Sequence, residues 1–519
     1  MPNLKRVDGR VFDLAVVGSA FGGSLMAMIA RRLGRSVVMI ERGKHPRFAI
    51  GESSTPLTNL LLEELAGTYD LPRIRAFSKW GSWQRTHPEI GCGLKRGFSF
   101  YHHEFGQVWR PRPERDNELL VAASPNDELS DTHWYRPDFD AFLVREAQEM
   151  GVTLWDETEL REFDESPSGI RVAGIRRGAP VECQARFLVD ASGPRGFVWR
   201  RLGLPETDFE NFPKTQALYS HFRGVIRWDR IQARSERPPH PPDDAALHHV
   251  FPGGWMWVLR FNNGLTSAGV SVDESLGQQL GLSAGSDAWA RLLDRLPSVA
   301  AQFRSAQPVR EFAVQDRLTF FSPVTTGTRW AMLPSAAGFV DPLLSTGFPL
   351  TLFGIERLGR MFSKGLVPTS EELKNYEKET TADLTCVAEL VGAMLKNLGR
   401  AEVFQRLGML YFAAASYAES ARRLGRPILA PGFLLRDRAE FRMAMRELCA
   451  WSRCDHLDRP GFGARVVQTI DPVNVAGLCE TSKRNWYGVD WADLVAARDK
   501  LDASAAEVDA LRIRLGIPQ

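Results

Sequence analysis

The segment "VFDLAVVGSAFGGSLMAMIARRLGRSVVMIERG" constrains the fold more than any other stretch of this chain. An apolar run over residues 14–17 leads into Gly18, Ala20 and Gly23 and then into a helix-period pattern, and a second apolar run over 36–40 ends in Glu41. This pattern predicts a βαβ unit that binds a dinucleotide. Gly18 makes the tight turn, the small Ala20 lets backbone approach a pyrophosphate, and Gly23 lets the helix aim its N-terminal amides at the phosphates. Glu41 lies 18 residues beyond Gly23, close to the ~20 expected for a carboxylate that accepts a ribose 2′-hydroxyl. An acidic residue there favours an adenosine without a 2′-phosphate. Ala20 departs from the strict glycine pattern, and an ordinary glycine-rich turn in an α/β unit is the alternative.

At 519 residues and 44% hydrophobic content the chain has material for more than one core. Its 65 basic and 63 acidic residues nearly cancel, and no basic block or acidic tail points to nucleic acid or an anionic membrane. A small molecule is the expected partner. The cysteines, Cys92, Cys183, Cys386, Cys449, Cys454 and Cys479, show neither CxxC nor metal-type spacing with histidine, so no metal site or disulfide framework is expected and a reducing cytoplasm fits. His248 and His249 are adjacent and point to opposite sides of a strand, which is poor metal-ligand geometry. No run reaches the roughly 18 apolar residues of a membrane span, and no targeting segment is expected.

Two later stretches return to the nucleotide domain. "ARFLVDASGPRG" predicts a buried strand ending in Asp190 and a glycine turn, and "RWAMLPSAAGFVDPLLSTGFPLTLFGIERL" a strand, loop and helix. The domain is therefore interrupted. Residues 1–365 are expected to interleave a nucleotide-binding part with a substrate-binding sheet, the latter over roughly 80–135 and 206–320. From 366 to 519 helical apolar spacing with charged faces predicts a helical C-terminal subdomain. A Pro-rich linker, "RPPHPPDD", precedes "AALHHVFPGGW".

"GSAFGG" with Glu41, "HPRFAIGESSTP", "GLKRGFSF", "YRPDFDAFL", "VDASG", "GGWMWVLRFNN" and "GFVDPLLSTG" occur, in that order, over about the first 360 residues. With these motifs the chain resembles flavoproteins of the hydroxylase superfamily and, within it, the flavin-dependent halogenases, most closely their phenol-specific branch. The resemblance implies an α/β fold with a Rossmann-like FAD-binding domain. It implies an enzyme that uses reduced FAD and O2 to oxidise chloride or bromide to hypohalous acid, which a lysine then guides onto an electron-rich aromatic. It places FAD against Gly18, Ala20, Gly23, Glu41, Arg47, Glu52, Ser53, Asp190, Gly338, Asp341 and Pro342. No second dinucleotide fingerprint follows Gly23, so a separate flavin reductase is expected to deliver reduced flavin. A homodimer stays open.

Lys95 matches the family's lysine by its place in "GLKRGFSF". If the segment is one strand, period two sets Lys95 on one face with Ser99, Tyr101 and His103, a polar row, and Tyr101 and His103 become candidates for the substrate tunnel. A solvated strand-end lysine is the alternative. Ser345, Thr346 and Gly347 precede a helix-like run and are expected to present successive amides to a halide, although the same geometry could seat the flavin edge. Trp255 and Trp257 share a strand face with Leu259, as tunnel wall or as packing. Arg260 stands where the family places a proline, adding a cation for halide or for an anionic substrate, or marking an enzyme without halogenation. Leu344 stands where tryptophan-acting members place a glutamate, which favours phenols that need no such base; Tyr101, His103 or Glu104 could supply one otherwise. A flavin monooxygenase that does not halogenate and a catalytically silent FAD-binding protein are the rival readings.

Overall fold

The computed structural model describes residues 11–232 and 236–517. Two sheets organise it. The first has the order β7-β2-β1-β10-β9-β8, with β1 Val11–Val17, β2 Val37–Ile40, β7 Thr153–Trp155, β8 Thr158–Ser166, β9 Gly169–Arg176 and β10 Ala179–Asp190. β7, β2, β1 and β10 run parallel, and the short strand Trp330–Met332 joins the far side of β10. These parallel strands are apolar on both faces, as a sheet covered on both sides requires. Leu14 and Val16 enter one buried core, while Ala15 and Val17 enter another. β8 and β9 complete the sheet as antiparallel strands. Helix α1, Phe21–Arg32, follows β1 directly and is buried from Phe21 to Ala30.

The second sheet has the central order β11-β14-β13-β12-β4-β5, with β4 Gly97–His102, β5 Glu118–Ala122, β11 Thr215–Arg223, β12 Ala246–Phe251, β13 Gly254–Arg260 and β14 Thr266–Asp273. Its strands alternate. Ala217, Tyr219, Ala246, Trp255, Trp257 and Phe100 belong to one core, and Leu218, Leu247, Met256, Val258 and Tyr101 to the one behind it. A separate two-stranded ladder, β3 Cys92–Lys95 and β6 Asp131–Trp134, lies apart from both sheets, and β3 comes just before β4 in the chain.

The expected single strand through Lys95 is in fact two. Arg96 leaves both ladders, its amide bonded to the Asp244 carbonyl and its own carbonyl accepting from Ala123. Gly97 then lies so close to β5 that an added Cβ would come within 2.1 Å of the Val121 carbonyl oxygen. The break changes the parity, and Phe98, Phe100 and His102, not Ser99, Tyr101 and His103, share the inner face.

Helices α2 Pro56–Thr68, α3 Arg136–Glu149 and α4 Phe197–Leu202 surround the first sheet, followed by α5 Gly347–Lys364, α6 Ser370–Lys396 and α7 Ala401–Arg423. A capping box of Thr369 and Glu372 starts α6. The C-terminal part is not purely helical: Trp486–Tyr487 adds a parallel edge strand to β5. Among the described residues no helix is long and apolar enough to cross a membrane.

Candidate active site

A cavity of about 810 Å³ runs from the C-terminal ends of β1 and β2 to the inner face of the second sheet. Gly18, Ala20, Glu41, Arg47, Glu52, Ser53, Gly338, Pro342, Ser345, Thr346, Gly347, Trp255 and Trp257 line it. Gly23, Lys95, Tyr101, His103, Asp190, Arg260, Asp341 and Leu344 do not.

The first end has the features that an adenine dinucleotide needs. Gly18 has φ +97° and an added Cβ would lie 2.4 Å from the Ala191 carbonyl oxygen, so only glycine leaves this turn open. Gly23 is needed for a different contact: its Cβ would fall 1.9 Å from the Gly18 carbonyl oxygen, where α1 crosses the turn. The Glu41 carboxylate accepts from the Ser19 amide at 3.1 Å and the Gly43 amide at 2.8 Å, and pairs with Arg47 at 3.2 Å. Burial acts to raise this carboxyl, but Arg47 and the amides outweigh it and hold it below the usual range, so it stands ready as an ionised acceptor. Asp190 stands behind the cavity. Its carboxylate accepts from the Ser192 amide at 3.0 Å and the Val198 amide at 2.7 Å, fixing the turn into α4 while Ala191, Ser192 and Gly193 face the opening. FAD fits this donor and acceptor set.

A buried pair unassigned from sequence also serves this end. Arg136 binds Asp140 at 2.8 Å, and Asp140 accepts from the Phe21 amide at 3.2 Å at the start of α1. Arg136 also donates to the Gly51 carbonyl at 2.8 Å, tying the segment that carries Glu52 and Ser53 to the helix. Glu52 Oε1 is hydrogen-bonded to His221 Nε2 at 2.8 Å. The motif "YRPDFDAFL" carried the signal; its local sequence did not say what the two charges hold.

At the other end Lys95 is fully buried beside the cavity. Its Nζ donates to Ser53 Oγ at 2.9 Å and to the Ser54 carbonyl, and lies 4.0 Å above the Phe98 ring. Ser53 lines the cavity, so the ammonium sits one residue behind its wall. Burial drives the Lys95 ammonium well below the ordinary lysine range, opposed by Asp131; burial likewise pushes Asp131 up, opposed by Lys95. His248, Trp255, Trp257 and Leu259 form the facing wall.

Four expected cavity residues lie elsewhere. Tyr101 packs with Trp109 and Trp228 behind the second sheet, and His103 bonds His249 at 2.9 Å on that same side. Arg260 points away from Trp255 and Trp257, as period two demands, and is neutralised there by buried Asp243 at 3.0 Å. Leu344 is fully buried in the core, with φ +66°, and Tyr411 of α7 donates to its carbonyl at 2.9 Å. The expected row of three amides is also one shorter: Ser345 spends its N–H on the Pro342 carbonyl at 3.1 Å. Thr346 and Gly347 remain at the first turn of α5, where amides have no intrahelical carbonyl. Asp341 braces this loop from behind, accepting from the Leu343 amide at 2.9 Å and from Ser271 at 2.8 Å, and burial raises its carboxyl to about 6.

The family model described as tryptophan halogenase matches residues 130–403, more than half of the chain. The chain is 32% identical over 366 residues to monodechloroaminopyrrolnitrin halogenase PrnC of Pseudomonas fluorescens, covering 69% of this chain and 63% of that protein. It is 31% identical over 353 residues to tetracycline 7-halogenase of Kitasatospora aureofaciens, covering 66% of this chain and 61% of that one. These matches span less than two thirds of either relative's length. Among solved structures, halogenase PltM superposes with a TM-score of 0.82 at 23% identity, over 92% of this chain and 99% of that one. PltM in complex with phloroglucinol and FAD superposes with a TM-score of 0.73 at 23% identity, over 96% of each chain. At this identity the likeness is one of fold.

Proposed function

The chain belongs to the flavin-dependent halogenase family, and on that premise we propose that it installs chlorine or bromine on an electron-rich, phenolic small molecule at the expense of reduced FAD and O2. The observation that carries this reading is the fully buried Lys95, whose Nζ is bonded to the cavity-lining Ser53. When bound, reduced FAD supplies the two electrons by which O2 and halide become hypohalous acid and water. The chain's residues do the rest. Glu41 and the turn at Gly18 hold the adenosine end, and Arg47 is the cation paired with that carboxylate. Thr346 and Gly347, at the N-terminus of α5, hold the halide. Lys95 uses two of its N–H bonds on Ser53 and Ser54, and from behind Ser53 its charge and that hydroxyl orient the oxidant toward the ring. Trp255 and Trp257 keep the ring on the lysine side of the cavity.

The substrate class in this reading is a phenol, a ring activated by its own hydroxyl; Leu344, buried outside the cavity, neither supplies nor withholds a base there. The phloroglucinol complex of the structural neighbour supports the same class. Reduced flavin comes from a separate reductase.

Incubation with FAD, a flavin reductase, NADH, bromide or chloride, and a panel of resorcinol-type phenols and tryptophan, read by mass spectrometry, tests the reading. Halogenated phenol is the expected product. Lys95→Ala is expected to lose it while retaining FAD, and undiminished product from that variant overturns the role of the lysine.

A further inference from the structure

His248 lines the cavity and is 2% exposed. It sits in β12 in register with Phe100 of β4, and its ring is clamped rather than free to rotate. Phe100 stacks on it at 4.4 Å and 15°, Phe98 at 5.9 Å and 14°, and Trp255 leans on it at 5.4 Å. Its Nδ1 lies 3.3 Å from the Ser99 carbonyl oxygen. A carbonyl has no proton to give, so in the neutral ring the Nδ1 that meets Ser99 carries the hydrogen and Nε2 the lone pair; the Ala246 carbonyl also acts on this ring. The imidazole is neutral at physiological pH, because burial and then the Lys95 ammonium drive its pKa down to about 3. The site therefore contains an oriented acceptor that is a poor base: it receives a hydrogen bond without removing the proton.

We propose that His248 Nε2 accepts the hydrogen bond of the substrate's ring hydroxyl and so sets which aromatics this site takes. The proposal rests on the phenol-halogenation reading. Phe98 links the two groups, since it stacks on His248 and carries Lys95 Nζ 4.0 Å above its ring. A hydroxyl held by His248 thus keeps its ring in the same cavity as Ser53, the residue that stands between the lysine and the opening. An O-methylated ring has similar size and electron richness but no donor, and it would leave Nε2 unpaired in a dry wall.

Binding of resorcinol and of its dimethyl ether to the FAD-loaded protein, by isothermal titration, tests this without turnover. The wild type is expected to bind resorcinol on the order of tenfold more tightly than the ether. His248→Leu is expected to bind the two alike, with FAD affinity unchanged, and His248→Gln, which keeps an acceptor, to recover part of the preference. No preference in the wild type, or full preference in His248→Leu, overturns the proposal. A loss of FAD affinity in both variants also overturns it, because the imidazole would then be seating the flavin. Lys95→Ala separates the two readings: it is expected to lose product and keep the resorcinol preference. Preference without halogenation in the wild type sinks the halogenase reading alone, and halogenation without preference sinks His248 alone.

Discussion

Lys95 and Asp131 stand opposite each other in register across β3 and β6, the first fully buried and the second 4% exposed. Asn59 donates to one Asp131 oxygen at 2.8 Å, and the other oxygen has no hydrogen-bond partner among the described residues. The lysine spends its bonds on Ser53 and Ser54, so carboxylate and ammonium act on each other through the low-dielectric interior and not by contact.

That relationship predicts a pH effect. The Asp131 charge raises the Lys95 pKa against the burial that lowers it, so removing the charge lowers the pKa further. An ammonium that orients the oxidant is lost as pH rises through that pKa. Asp131→Asn is therefore expected to move the alkaline limb of halogenation to lower pH by about 1–3 units. His133 and His248 face Lys95, and Glu419 and Arg423 face Asp131; these groups stay in place in the variant. A pH profile of product formation under excess reductase checks it, and an unmoved limb removes Asp131 from the mechanism.

Acid stability gives a second prediction. Burial lowers His102, His240 and His248 to about 3 and His249 to about 4, and holds His103 and His133 well below the usual value. Below about pH 6.5 the unfolded chain takes protons that the fold refuses, so stability falls as pH falls. Each histidine removes about 1.4 kcal/mol per pH unit. Asp131 and Asp341, with raised carboxyls, oppose this by protonating first in the fold. The net is a loss of roughly 5–6 kcal/mol per pH unit, and unfolding is expected between about pH 6 and 4. Circular dichroism against pH measures it; a melting temperature that stays flat from about pH 6.5 to 4.5 contradicts the burial of these rings.

The parts of the site that were legible in the sequence are those whose geometry is local. Gly18, Gly23 and Glu41 are held in one strand–turn–helix–strand unit, so spacing alone places them together. Trp255, Trp257 and Leu259 were legible as one face because β13 runs unbroken. Lys95 was different. Its environment depends on a ladder with β6 and on one residue, Arg96, that belongs to no strand, and a one-residue break exchanges the faces of everything after it. Gly97 was the only local mark of that break. Asp131, Ser54 and Tyr411 reach the site from distant segments, and no periodicity links them to it.

Arg260 supplies a third prediction, opposite to what its place in the motif suggests. Its guanidinium is the partner of Asp243, whose carboxyl is buried and raised by that burial. Arg260→Ala leaves the carboxylate, among the described residues, with backbone donors such as the Asp229 amide at 3.0 Å. A loss of about 3 kcal/mol is expected by urea unfolding, with the KM values for halide and phenol unchanged. A selective rise in halide KM at unchanged stability would return Arg260 to the cavity.

The last prediction concerns how the helical region governs the proposed halide site. Tyr411, on α7, is 3% exposed and donates its hydroxyl to the Leu344 carbonyl at 2.9 Å. Leu344 and Ser345 both have left-handed backbones, with φ +66° and +56°, a conformation that side-chain-bearing residues keep only when the surroundings hold them. The residues that follow are Thr346 and Gly347, whose amides open α5 at the cavity. Tyr411→Phe keeps the ring in the core and removes only the hydroxyl, leaving the Leu344 carbonyl unpaired at a cost of about 1–3 kcal/mol. The loop then loses its brace on one side while Asp341 still holds the other. Halide KM is expected to rise by about five- to tenfold with FAD content intact and kcat at saturating halide preserved, a split that a general loss of stability does not produce. Steady-state kinetics against chloride and bromide, beside a thermal melt, decide it: a lowered melting temperature at unchanged halide KM would leave Tyr411 a packing residue and put the halide elsewhere.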